Sequence, residues 1–97
     1  MHDTRLVLVA LTERSLAHDL LRLRASAAEC LIRGEGSITV DISSLRRLSS
    51  ETIAALLWTR RKCSGHGIGF AVLGARPTAA QSLTRCGMAG TLTMGGR

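Results

Sequence analysis

Residues 37–57, SITVDISSLRRLSSETIAALL, contain the signals that decide the fold. Residues 37–42 favour a β-strand because β-branched side chains dominate them. Ser49, Ser50 and Glu51 then form a helix-start signal, since hydroxyl groups can cap free amides and an acid suits the positive end of a helix. The stretch therefore predicts a strand leading into an amphipathic helix, whose apolar face is formed by Ile53, Leu56 and Leu57, with Trp58 as a further candidate.

The chain before this stretch shows the same succession of strand and helix. Residues 6–11 are a continuous apolar run, which predicts a strand covered on both faces. A helix follows from Ser15, and Gly34 and Gly36 end it. The apolar stripe predicted for that helix contains Leu16, Leu20, Leu23, Ala27 and Leu31.

The chain after this stretch repeats the pattern once more. Residues 68–73 predict a third strand, and Pro77 fits the first turn of a last helix that Gly87 ends. We expect Ala80 and Leu83, with Cys86 as a further candidate, to point inward from that helix, and residues 88–92 to add a short element. Apolar strands that alternate with amphipathic helices predict a single α/β domain over residues 1–97. Its sheet is small and mainly parallel with right-handed crossovers, and residues 95–97 are expected to be disordered.

Basic residues outnumber acidic ones, and the formal net charge is +6. This charge favours an acidic partner: nucleic acid, an anionic membrane surface or an acidic protein. The basic residues are dispersed, however, and the densest cluster, Arg60-Arg61-Lys62, is expected to be a solvated helix end. Trp58 and Phe70 are the only aromatic residues, so the sequence lacks the stacking side chains of single-strand binders and argues against nucleic acid as the partner.

The cysteines and the first apolar run bear on the compartment. Cys30, Cys63 and Cys86 are odd in number and include no Cys-x-x-Cys pair, which predicts buried or partly buried thiols in a reducing compartment. The apolar run 6–11 is too short for the core of a signal peptide or for a membrane span. We therefore expect a cytoplasmic protein without membrane insertion.

Catalytic and metal-binding functions find no support in the pattern of residues. His2, His18 and His66 lie at the chain start, on a helix and in a glycine turn, and no Gly-x-Ser-x-Gly elbow is present. Histidine and cysteine never occur at ligand spacing. The glycine-rich residues 65–69 precede a strand, whereas a phosphate-binding loop follows one. We expect a protein that is not an enzyme, with no catalytic residue, bound metal or cofactor.

From residue 38 to residue 94 the chain resembles the STAS domain family, which includes bacterial anti-sigma factor antagonists. That family's signature is a strand ending in Asp-Leu-Ser, a hydrophobic pair, and Asp-Ser-Ser-Gly opening a helix. Before residue 36 only the order of strand and helix agrees, and the N-terminal strand region is shortened. The matching residues are Asp41-Ile42-Ser43, Leu45, Leu48, Ser49-Ser50-Glu51-Thr52, Gly74-Ala75-Arg76-Pro77 and Gly87-Met88.

The resemblance implies that Ser50 is the serine that a partner kinase phosphorylates in the antagonists. A phosphate at a helix N-terminus would be held by free amides, yet it would place negative charge in a docking face. The chain departs from the family at the neighbouring positions, where Ser49 replaces Asp, Glu51 replaces Ser and Thr52 replaces Gly. Glu51 would repel a phosphate and could imitate part of its charge, and simple capping by Ser49 and Ser50 is the alternative role.

The function implied by the resemblance is that of a regulatory binding module. Its partner would be an anti-sigma factor with a serine-kinase ATPase fold, and its binding would change transcription. A non-phosphorylated accessory or scaffold subunit, as on transporter ATPases, is one alternative, and an arginine-rich nucleic-acid-binding domain is another. Pairing of two copies is left open. The expected contact residues are Asp41, Ser43, Ser49, Ser50, Glu51, Thr52, Ile53 and Leu57.

Overall fold

Strands and helices alternate along residues 5–93, the part of the chain that the computed structural model describes. The disorder expected for residues 95–97 concerns residues outside this part. Between residues 5 and 93, no helix is both long and apolar enough to cross a bilayer. The elements are β1 (Leu6–Ala10), α1 (Leu16–Arg33), β2 (Ser37–Asp41), α2 (Ser50–Ser64), β3 (Gly69–Leu73), α3 (Pro77–Arg85), a 3₁₀ turn (Ala89–Thr91) and β4 (Leu92–Thr93).

The strands form one sheet in the order β1-β2-β3-β4, and every neighbouring pair is parallel. This confirms the predicted α/β fold with a parallel sheet. Crossovers between parallel strands are right-handed, and here the strand order never reverses, so successive helices fall on the same face of the sheet. Burial along β2 agrees with this arrangement, because Ile38 and Val40 are buried while Thr39 is half-buried.

The core lies between the sheet and the helices and is aliphatic. Leu20, Leu23 and Ala27 are buried along α1, as the periodicity predicts, but Cys30 takes the next core position while Leu31 is only half-buried. From α2, Leu56 packs into the same cluster. The largest fully buried side chains are Leu11, Leu23, Ile38, Ile42, Leu45, Leu56, Leu83 and Met88.

The prediction that residues 6–11 are covered on both faces is wrong. Val9 and Leu11 are buried, but Leu6 is 80% exposed and Leu8 is 61% exposed. The reason is that β1 is an edge strand and that all helices pack on the other face of the sheet. A continuous apolar run does not reveal this arrangement, because it looks the same in a central strand and in an edge strand.

The helix ends are mostly where the sequence places them. Gly34 follows α1 in the left-handed conformation (φ 73°), with its N–H on the Cys30 carbonyl at 2.8 Å, and Pro77 is the first residue of α3. The inward orientation predicted for Cys86 is wrong, since this residue is exposed. The chain turns at Gly87, and the fully buried Met88 fills the core instead, its N–H bonded to the Leu83 carbonyl at 2.9 Å.

Candidate protein-docking surface

Three loops meet at the carboxyl edge of the parallel sheet, around the start of α2. They follow β1, β2 and β3, and two hydrogen bonds join them. The Arg46 N–H donates to Glu13 Oε2 at 3.4 Å, which connects the first loop to the second. The Arg76 Nε–H donates to the Ser43 carbonyl at 2.9 Å, which connects the second loop to the third. The start of α2 is therefore flanked by three loops that hydrogen bonds connect, and we call these loops the platform.

Asp41 and Ser43 shape this platform. The Ser43 N–H donates to Asp41 Oδ1 at 2.9 Å, a local bond that folds the loop back on the end of β2. Gly74 packs against both residues in the left-handed region (φ 76°), and a β-carbon there would lie 2.8 Å from the Ser43 Cβ. The predicted contact residue Asp41 is half-buried and holds the loop, whereas Ser43 is exposed.

Ser49 is the N-cap of α2. Its backbone is extended (φ −74°, ψ 161°), and its Oγ accepts the Thr52 N–H at 3.1 Å. The Ser49 carbonyl accepts the Ile53 N–H at 3.0 Å. Of the two serines that the sequence offers as caps, Ser49 performs this role and leaves the Ser50 side chain for other contacts.

Thr52 does not lie on the surface, which corrects its assignment as a partner contact. The residue is fully buried, and its Oγ1 lies 3.0 Å from the Ser49 Oγ. It occupies the third helical position, which faces inward from the first turn of α2. The Thr52 side chain therefore points into the protein.

The N-cap Ser49 is exposed, as are Ser50 and Glu51 in the first turn of α2. Ser50 and Glu51 precede the amides that Ser49 covers, so their own N–H groups are among those that a helix leaves without an internal partner. Ile53 and Leu57 are half-buried, and Ala54 is exposed between them. We call the group Ser43, Ser50, Glu51, Ile53, Ala54 and Leu57 the α2 docking surface.

A shallow groove between α1 and α2 is a feature that the sequence reasoning missed. Its volume is about 310 Å³, and it borders the α2 docking surface at Glu51. Beyond it, Arg24 and Lys62 lie over the Trp58 ring at 5.5 and 5.8 Å from the ring centre. Leu21 could have indicated this groove, because it is an apolar residue that lies off the core stripe of α1 and is exposed. The groove is lined by Ala17, Leu20, Leu21, Arg24, Glu51 and Ala55.

Asp19 ties the loop after β1 to α1 from a buried position. Its Oδ2 accepts the Thr12 N–H at 2.9 Å and the Thr12 hydroxyl at 2.8 Å. Burial alone would raise the pKa of Asp19, but the bonds from Thr12 and the charges of Arg22 and His18 together hold it below its ordinary value. The carboxylate is thus a charged structural group that fixes the first loop of the platform.

The three cysteine side chains differ in burial. Cys30 and Cys63 are buried and Cys86 is exposed. Burial, and secondarily the neighbouring Cys30, raises the pKa of the Cys63 thiol, which disfavours the nucleophilic thiolate. Among residues 5–93, histidine, cysteine and carboxylate side chains form no group of three that could hold a metal ion.

The chain matches a family model described as "Mlab, STAS domain" over residues 2–94. The match includes β1 and α1, where the sequence showed agreement only in the order of elements. No curated protein matches the chain. The family model spans nearly all of the chain, and it agrees with the parallel strands and crossover helices of the fold. The protein belongs to the STAS domain family.

Proposed function

We propose that this protein is an anti-sigma factor antagonist, which docks its α2 docking surface onto an anti-sigma factor of serine-kinase ATPase fold. A STAS domain is in general a regulatory protein-interaction module rather than an enzyme. The observation that carries the proposal is the exposure of Ser50 at the first position of a helix whose cap is already supplied by Ser49. Sequestering the anti-sigma factor would free a sigma factor and change transcription.

The hydrogen bonds between the loops of the platform support a docking role. Ordering a flexible loop on binding costs free energy, and a preorganised surface avoids this cost. Here Arg46, Ser43 and Arg76 already join the loops by hydrogen bonds. Ala54 and Leu57 extend the surface along α2 with small or apolar side chains, which allow a partner to approach closely.

Phosphorylation of Ser50 would supply a switch. Its hydroxyl is on the surface, and the amides of Ser50 and Glu51 would lie close to a phosphate placed there. A phosphate adds roughly −1.5 to −2 charges at neutral pH. Because Glu51 already contributes a negative charge beside it, a phosphate would make the α2 docking surface strongly acidic and would release a partner whose complementary surface is uncharged or acidic.

Calorimetric titration against the purified serine-kinase-type anti-sigma factors of the host tests the proposal. We expect one of them to bind, and Ser50→Glu to weaken that binding at least tenfold. Thr78→Glu is the matched control, because it places the same charge in the exposed first turn of α3. Absence of binding to all of these anti-sigma factors would refute the proposal, and equal effects of both variants would refute the assigned surface.

A second candidate is a non-switching accessory subunit, for example of a transporter ATPase. The exposed Glu51 favours it, because a permanent carboxylate beside Ser50 opposes the addition of a phosphate. Incubation with the host kinases and ATP, followed by mass spectrometry of the peptide that contains Ser50, separates the two candidates. A phosphate on Ser50 supports the switch, whereas a partner that binds while Ser50 stays unmodified supports the accessory role.

A further inference from the structure

β1 leaves both a face and an edge uncovered. Leu6 and Leu8 are 80% and 61% exposed on the sheet face opposite the helices, and on its other side β1 has no neighbouring strand within residues 5–93. All-parallel sheets are usually covered on both faces. Edge strands are usually protected by a charged residue, a proline or a bulge. The sequence of β1, LVLVA, contains no charge and no proline, and its pairing with β2 is unbroken.

The hydrogen bonds at the two ends of β1 show which backbone groups face the free edge. The Arg5 carbonyl accepts the Ser37 N–H at 2.8 Å, and the Leu11 N–H donates to the Asp41 carbonyl at 2.9 Å. The backbone groups of these two odd-numbered residues thus point toward β2. Backbone direction alternates along a strand, so the N–H and C=O groups of residues 6, 8 and 10 point away from β2, toward the free edge.

We propose that β1 pairs with the β1 strand of a second copy of this chain, antiparallel and centred on Leu8. The outward backbone groups of Leu6, Leu8 and Ala10 would then bond to those of Ala10, Leu8 and Leu6 in the other copy. Two four-stranded sheets would join into one continuous sheet. A two-fold axis through Leu8 uses the same patch on both copies, so the assembly closes as a dimer.

The side chains on the uncovered face are complementary in this register. Leu6 would lie opposite the small Ala10 of the other copy, and the two Leu8 side chains would meet at the centre, where paired residues lie roughly 5.5 Å apart between Cα atoms.

The opposite edge of the sheet argues for the two-fold arrangement over a head-to-tail chain of molecules. A head-to-tail assembly would pair β1 with β4 of the next copy. Within residues 5–93, β4 contains two residues, Leu92–Thr93, whereas β1 contains five. The described part of the β4 edge therefore offers fewer backbone groups than β1 does, while a second β1 matches the outward groups of Leu6, Leu8 and Ala10.

The α2 docking surface stays free in this dimer. It lies at the carboxyl edge of each sheet, whereas the dimer contact runs along the free side of β1. Antiparallel pairing would place the two docking surfaces at opposite ends of the joined sheet. The inference therefore does not depend on the proposed function, and each can fail while the other stands.

The mass of the protein in solution tests the inference. Sedimentation equilibrium over a range of concentrations should give a species of twice the 10.3 kDa of one chain. Leu8→Arg should raise the dimer dissociation constant at least tenfold, because it puts two cations at the centre of the contact. Since Leu8 is exposed, we expect this variant to keep the circular dichroism spectrum of the wild type.

Ile32→Arg is the matched control, because Ile32 is 86% exposed on α1, on the other face of the sheet. It should leave the dimer unchanged. Amide exchange gives a second readout in the wild type: the amides of residues 6, 8 and 10 should become protected as the protein concentration rises. A protein that stays monomeric at millimolar concentration, or a dimer that survives Leu8→Arg and dissociates with Ile32→Arg, would overturn the inference.

Discussion

Three hydroxyl residues at the start of α2 have different roles. Ser49 caps the helix, Ser50 faces solvent, and Thr52 is buried against the cap. The sequence predicted the helix start from local signals, and the resemblance to the STAS family implied the surface role of Ser50. It could not predict that Thr52 turns inward, since this depends on how the first turn of α2 sits against the sheet. A divergent motif can thus keep an exposed serine although its neighbours have changed.

Substitution of the two serines should separate their roles. Ser49→Ala removes the acceptor for the Thr52 amide, so it should lower the free energy of unfolding by about 1 kcal/mol. Ser50→Ala is the control, and we expect it to change this free energy by less than about 0.5 kcal/mol. Urea denaturation of the three proteins measures both values. A larger loss with Ser50→Ala than with Ser49→Ala would contradict the assignment of the cap.

Asp19 should make the protein less stable in acid. Its folded-state pKa is lower than its ordinary value of 3.8, so its contribution is complete above that value and is lost as the pH falls through the folded pKa. Asp19→Asn should lower the free energy of unfolding by about 1 to 3 kcal/mol at neutral pH. The variant should also lose less stability than the wild type on acidification. Thermal melts at a series of pH values check this, and equal pH dependence of the two proteins would rule it out.

Among the elements, the loops that precede the helices hold the docking surface in place. The alternation of strands and helices was predictable, because each element carries its own periodicity. The uncovered face of β1 was not predictable, because it depends on the order of the strands. The core position of Met88 in place of Cys86 was not predictable either, because it depends on the turn at Gly87. Contacts between loops, such as Arg76 to Ser43, likewise join residues far apart in sequence.

Gly74 should prove essential to this arrangement of loops. Gly34 and Gly74 have almost the same left-handed φ, 73° and 76°, but only at Gly74 would a β-carbon meet the Ser43 side chain. Gly34→Ala should cost about 1 to 2 kcal/mol from backbone strain alone. Gly74→Ala should cost about 1 to 3 kcal/mol more from the clash. Chemical denaturation compares the two variants. Equal losses in the free energy of unfolding would show that the loop after β2 moves away from the added β-carbon without loss of stability.

For the whole molecule, the parallel sheet provides two separate surfaces. The α2 docking surface lies at its carboxyl edge, on the hydrogen-bonded loops of the platform. Exposed leucines lie at its free edge, on β1. The net charge of +6 is dispersed, with Arg24 and Lys62 placed over Trp58 beside the groove between α1 and α2. A partner that reaches across this groove would gain contact with both helices.

Photo-crosslinking in the host cell tests the docking surface most directly. A photoreactive amino acid at Ala54, which is exposed at the centre of the α2 docking surface, should crosslink to an anti-sigma factor of serine-kinase ATPase fold, identified by mass spectrometry. The same group at Thr84, exposed on α3, should not. A crosslink to that anti-sigma factor from Thr84 and none from Ala54, or no such crosslink from either position, would contradict the account.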